Sequence, residues 1–156
     1  MKALLLVIAV LFSVNSFAGA DEANTAYDNG AYKKAFYLYK KSAEQGYSSA
    51  QYNLGAMYYN GEGTVQDYKK AIHWYKKSAE HNHASAQSNL GLMYGKGKGT
   101  VQNYVRAHMW WNIAAANGIT DAQRNRVIVE KEMTSADISK AQNMASKCVA
   151  SNYKDC

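Results

Sequence analysis

Apolar residues along the middle of the chain recur at helical spacing. From Ala50, the residues Ala50, Leu54, Met57 and Tyr58 fall on one side of a helix, with Gly55 beside them where a partner helix can approach closely. The pattern breaks at Asn60-Gly61, and the segment Gly61-Glu62-Gly63-Thr64-Val65 lets the chain reverse. It resumes with Tyr68, Ala71, Ile72, Trp74, Tyr75 and Ala79 directed inward and lysines directed outward. Asp67, and its counterpart Asn103, are placed to cap the second helix of each pair. Those second helices should close at Gly46, Asn82 and Gly118, because glycine and asparagine most readily take the left-handed conformation that ends a helix.

This two-helix pattern recurs. The segment AQYNLGAMYYNGEGTVQDYKKAIHWYKKSAEHNH from Ala50 returns as AQSNLGLMYGKGKGTVQNYVRAHMWWNIAAANGI from Ala86, a step of 36 residues. Full units are expected at about 50–85 and 86–121, with a partial copy before (AFYLYKKSAEQG from Ala35) and another after (AQRN from Ala122). A single short helix pair cannot bury its apolar face, so the copies should stack. The expected fold is all-α, a right-handed α-solenoid of helix-turn-helix repeats within residues 21–156. Residues 21–28 would form a short first cap, and a closing helix at about 134–150 would be capped by Thr134 or Ser135. Where one unit has Lys76, Lys77 and Ser78, the next has Asn112, Ile113 and Ala114, so something must cover that surface; the closing helix is the available cover.

The combination A-x-x-x-L-G-x-M-Y, a G-x-G turn, an acidic or amide residue, A-x-x-W-Y/W-x-x-x-A and a closing glycine resembles the Sel1-like repeat, a relative of the tetratricopeptide repeat, over roughly Ala31 to Arg126. The ending C-V-A-x-N-Y-K-D-C from Cys148 is similar to the tail of many exported bacterial members. The resemblance implies a right-handed superhelix that scaffolds or recognises other proteins. One departure is Thr64-Val65-Gln66 in place of the usual turn proline, in a chain of 156 residues with no proline; this bears on turn rigidity.

The first residues read as an export signal. Met1 and Lys2 give a positive start, Ala3 to Val14 are almost wholly apolar, and Ala18-Gly19-Ala20 is a cleavage pattern, so 1–20 should be removed and the product begin at Asp21; a cut after Ala18 fits nearly as well. A retained membrane anchor is the competing reading, but the apolar run is short for a bilayer span and no cysteine follows it to carry lipid, so no stable anchor is expected after cleavage. The expected location is periplasmic or secreted. Net charge is +6 before cleavage, and the lysine pairs at 33–34, 40–41, 69–70 and 76–77 read as a solvated outer face; nucleic-acid binding is not expected. In an oxidising compartment Cys148 and Cys156 should form a disulfide, with free thiols or a metal pair as the alternative. Unbroken helix would hold their Cα atoms roughly 12 Å apart, too far for a bridge, so the chain must fold back, and Asn152 is a suitable place.

Little in the sequence speaks for catalysis. His73, His81, His83 and His108 do not fall at equivalent repeat positions, and Glu44 and Glu80 match near helix ends as solvated residues would. The one Ser-x-x-Lys, Ser151 to Lys154, lies between the cysteines without the partner motifs of a β-lactam-acting enzyme. No enzyme activity, cofactor or metal is therefore expected, and a protein or peptide is the expected partner. The candidate peptide-binding residues are polar positions on the first helices: Tyr52 and Asn53, Ser88 and Asn89, Arg124 and Asn125, with Gln51, Gln87 and Gln123 beside them. The repeated asparagines suit either an extended peptide backbone or a bond between neighbouring repeats, while the varying Tyr52, Ser88 and Arg124 suit specificity. Most tyrosines are assigned to the core, with Tyr47 and Tyr59 as possible exposed anchors.

Overall fold

The computed structural model describes residues 20–154 and residue 156. The expected export signal and its cleavage sites lie outside the described residues, apart from Ala20. Those residues form α1 (20–28), α2 (Tyr32–Glu44), α3 (Ser48–Asn60), α4 (Tyr68–Glu80), α5 (Ala84–Lys96), α6 (Tyr104–Ala116), α7 (Thr120–Glu130) and α8 (Ser135–Ala150), with no strand among them. Helices α3 with α4 and α5 with α6 form the tightest pairs, and α2, α4 and α6 pack in turn against α3, α5 and α7 of the next unit. The result is a helical repeat solenoid.

The apolar stripes build its core. Ala50, Leu54, Met57 and Tyr58 of α3 are buried, as are their counterparts Ala86, Leu90, Met93 and Tyr94 of α5. Across each pair a glycine admits an aromatic ring. A Cβ on Gly55 would stand 2.8 Å from the Tyr75 ring, and one on Gly91 would stand 2.5 Å from the Trp111 ring. Glycines in the turns serve stacking between units. At Gly63 and Gly99, both at positive φ, a Cβ would strike the backbone of Tyr32 or Tyr68, the first residue of the preceding unit's second helix.

The helix ends follow the sequence reading. The Asp67 side chain accepts from the Lys70 amide, Asn103 from Arg106 and Thr134 from Asp137. Gly46, Asn82 and Gly118 all have positive φ just past α2, α4 and α6. The turn without proline has its own brace: Gln66 Nε2 donates to the Tyr59 carbonyl at 2.8 Å, and Gln102 Nε2 donates to the Gly95 carbonyl at 2.7 Å. These side-chain bonds restrain the reversal that a fixed proline φ would otherwise restrain.

At the C-terminal end the closing helix packs on α6, where Met109 and Ile113 are buried; Ala114 is buried too, as Ser42 and Ser78 are at the same position in earlier units. At the position of Met109 the earlier units carry His73 and Tyr37, both exposed. Helix α8 ends at Ala150, Asn152 and Tyr153 turn the chain through positive φ, and Cys148 meets Cys156 in a disulfide with Cα atoms 5.0 Å apart.

Candidate binding groove

The polar positions singled out on α3, α5 and α7 divide into three kinds. Gln51 and Gln87 are buried and held by the scaffold: Gln51 Nε2 donates to the Ala43 carbonyl, while Gln87 donates to Asn82 Oδ1 and accepts from Asn117. Asn117 also donates to Asn82, so these three amides tie consecutive units together and hold Asn82 in its left-handed turn. Tyr52, Asn53, Ser88, Asn89 and Asn125 are half-buried. Arg124 and Gln123 are exposed, and Arg124 pairs with Asp121 one helical turn before it, at 3.2 Å.

The asparagines share one local arrangement. Asn53 lies beside the hydroxyl of Tyr39 in the preceding unit, and Asn89 lies likewise beside that of Tyr75. The Tyr39 hydroxyl donates its single proton to Asn24 Oδ1 at 2.7 Å, so toward the Asn53 amide it can only accept. Burial, then the charge of Asp28, hold the Tyr39 hydroxyl above its ordinary pKa, against the Asn53 side chain, which lowers it. The Tyr75 hydroxyl is raised for the same first reason, burial. Both phenols are therefore neutral near pH 7.

Each tyrosine–asparagine pair lines a depression. The first, about 450 Å³, is bounded by Asn24, Tyr27 and Asp28 of α1, Tyr39 of α2, and Tyr52, Asn53 and Ala56 of α3. The second, about 40 Å³, is bounded by Tyr59, Tyr75, Asn89 and Leu92. Tyr39 and Tyr75, Asn53 and Asn89, and Ala56 and Leu92 are each one repeat apart, so the two are copies of one site. The alanine-to-leucine exchange partly fills the second. Tyr52, on the wall of the first, stacks on His83 with ring centres 4.8 Å apart and leans on Tyr75 at 5.8 Å, which fixes its ring.

Of the six candidates, Tyr52 and Asn53 are thus brought together, Asn89 lies one unit along with Ser88 beside it in sequence, and Arg124 and Asn125 stand on α7. Tyr39 is buried in the core, as the sequence reading assigns most tyrosines, and the wall that Tyr27 and Asp28 of α1 add beside it has no counterpart in that reading. The place of Tyr39 was signalled by the period it shares with Tyr75. Of the two tyrosines named as anchors, Tyr47 is exposed, whereas Tyr59 is half-buried and bonded to Lys98. Among the described residues no group of three or more His, Cys, Asp or Glu is placed to hold a metal ion.

Helix pairs stacked at a fixed period define a helical-repeat protein. The particular family is the Sel1 repeat: the chain belongs to it, matching the repeat at residues 25–47, 48–83 and 84–119. Among solved structures it is similar to a protective antigen of uropathogenic Escherichia coli strains displaying an SLR fold, with 28% identity and a TM-score of 0.82 over 88% of this chain. That alignment spans only 31% of the Escherichia coli chain. A Sel1 repeat protein from Oxalobacter formigenes aligns over 97% of this chain and 72% of its own, with 26% identity and a TM-score of 0.68. Cysteine rich protein B of Helicobacter pylori aligns over 57% of this chain and 67% of its own, with 30% identity and a TM-score of 0.55. No curated protein matches. Sel1 repeat proteins serve generally as protein-interaction scaffolds. A disulfide and bacterial neighbours of this kind are consistent with a place outside the cytoplasm, and no described helix is long and apolar enough to cross a membrane.

Proposed function

We propose that this protein is a non-catalytic adaptor of the bacterial envelope, periplasmic or secreted after removal of residues 1–20, that holds a peptide or one face of a protein along α3, α5 and α7. The observation that carries this reading is the twofold occurrence of a tyrosine–asparagine depression, once open and once partly filled. Repeated hydrogen-bonding groups at the spacing of the units suit an extended chain, and the residue that varies between units, Tyr52, Ser88 or Arg124, would read its side chains. The Escherichia coli relative, described as a protective antigen, is in keeping with an exported role.

The test is site-specific photo-crosslinking in the native host. A benzophenone amino acid replaces Ser88 in one strain and the outward Lys77 in another, and adducts are compared. A partner captured from position 88 and not from position 77 supports the reading. Adducts from position 77 alone, or from neither position in the intact envelope and medium, overturn it.

A further inference from the structure

The same chain that leaves the first depression open shows what its tyrosines attract. One repeat along, the Lys98 ammonium lies 4.5 Å from the Tyr59 ring centre and 5.1 Å from that of Tyr68, and it donates to the Tyr59 hydroxyl. Lys70 lies over Tyr58 at 5.3 Å, and the Arg106 guanidinium over Tyr94 at 5.5 Å. In the first unit the charge is reversed. The residue one repeat before Lys98 is Glu62, and it accepts a hydrogen bond from Tyr27 at 2.9 Å, beside the Tyr27–Tyr32 ring pair. Among the described residues no lysine or arginine lies over the rings of Tyr27, Tyr39 or Tyr52.

The remaining polar groups at the opening are one carboxylate and two amides, Asp28 with Asn24 and Asn53. Asp28 supplies a carboxylate and Asn53 a carbonyl oxygen, while donation from Tyr27 to Glu62 makes that phenol ring more electron-rich. In a chain with net charge +6 this is a recess with one carboxylate, lined by the half-buried rings of Tyr27 and Tyr52 and by the buried Tyr39. Such a recess complements a cation carried on a flat or slender apolar stem.

The geometry points to this recess as the receptor for an arginine side chain of the partner polypeptide, its guanidinium held by Asp28 and Asn53 and packed against Tyr27 and Tyr52. The inference rests on the adaptor reading and adds the side-chain chemistry recognised at one end of the groove. The Ala56 position sets access: leucine, which the second unit carries at Leu92, would occupy the space.

Binding of acetyl-Gly-Gly-Arg-Gly-Gly-amide to the purified, disulfide-closed protein is followed by the tyrosine ring signals in carbon–proton NMR, beside the citrulline peptide, which keeps the shape and loses the charge. The arginine peptide should shift the ring signals of Tyr27, Tyr39 and Tyr52 and bind at least about tenfold more tightly than the citrulline peptide. Asp28→Asn should remove most of that preference. Ala56→Leu, and Glu62→Lys, which restores the arrangement of Lys98, should each abolish the shifts in proteins whose circular dichroism is unchanged. Equal binding of the two peptides at these tyrosines overturns the arginine assignment and leaves the groove as a peptide site. Absence of any shift while position 88 still captures its partner likewise overturns the assignment alone, whereas loss of capture at position 88 is the failure of the adaptor reading.

Discussion

Replacing Gly91 by alanine sets two effects of known size against each other. In the middle of α5, alanine is a better helix former than glycine by about 1 kcal/mol, so propensity alone predicts stabilisation. Against this, the new Cβ would sit 2.5 Å from Cδ1 and Nε1 of Trp111, where about 3.5 Å or more is comfortable. The ring cannot swing freely. It is 7% exposed, and its far edge lies over Gly95, where a Cβ would stand 2.9 Å from Cη2. A displacement of about 1 Å at the core of the α5–α6 pair belongs at the upper end of overpacking costs, about 3 kcal/mol. The net expectation is a loss of about 2 kcal/mol, or roughly 6–10 °C in Tm for a domain of this size. Urea unfolding followed by tryptophan fluorescence measures it, with Gly95→Ala as the milder companion because only the rim of the ring is met. If Gly91→Ala is as stable as the parent or more so, the close approach of Trp111 does not fix the α5–α6 pair and the packing argument fails.

Two further outcomes test other contacts. His108 is fully buried with Nε2 2.8 Å from Glu130, and its other ring nitrogen has no partner; Glu130→Ala should therefore cost about 1–3 kcal/mol in urea unfolding, and Glu130→Gln distinctly less, with equal costs arguing against a pairing role. The Tyr27 hydroxyl, pushed up to about 12 chiefly by its hydrogen bond to Glu62 and then by burial, has its folded pKa above its unfolded value near 10. The associated stability is thus complete below pH 10 and lost as pH rises toward 12, so absorbance at 295 nm should show late tyrosine ionisation that Glu62→Gln brings forward; no change with Glu62→Gln would refute the assignment.

Features that repeat were legible in the sequence because each position was written twice. Asp67 and Asn103 cap α4 and α6 for one physical reason, and Gly46, Asn82 and Gly118 end three helices in the same way. The closing helix and its bridge were legible from different signals: the exchange of exposed Lys77 for buried Ile113, and the fold-back that two cysteines eight residues apart demand. Pairing across units was harder to see. Gln51 and Gln87 read as polar groove residues because they neighbour Tyr52 and Ser88, yet side chains one helical position apart point in different directions, and theirs point into the stack. His108 takes the position of Ile72 and Phe36, and its partner Glu130 comes from α7, where the repeat has already diverged.

The open depression lay furthest from sequence reasoning, and the reason is architectural. A solenoid's inner units carry both neighbours, so their side chains meet partners set by the period; its first unit meets only a cap. Here that cap is α1, which contributes Asn24, Tyr27 and Asp28 outside the phase of the repeat. Three departures from the period bear on the depression: Ala56 for Leu92 and Ala23 for Tyr59 among the positions that line the second one, and Glu62 for Lys98 beside it. The first two remove side-chain volume, and the third removes the cation that Lys98 holds over Tyr59 and Tyr68. Repetition therefore builds the scaffold, and the departures from it at the N-terminal unit build the most accessible recess. A substitution that restores the repeat at Ala56 or Glu62 should close or fill the recess while leaving α3 and its stripe of Ala50, Leu54, Met57 and Tyr58 packed as before.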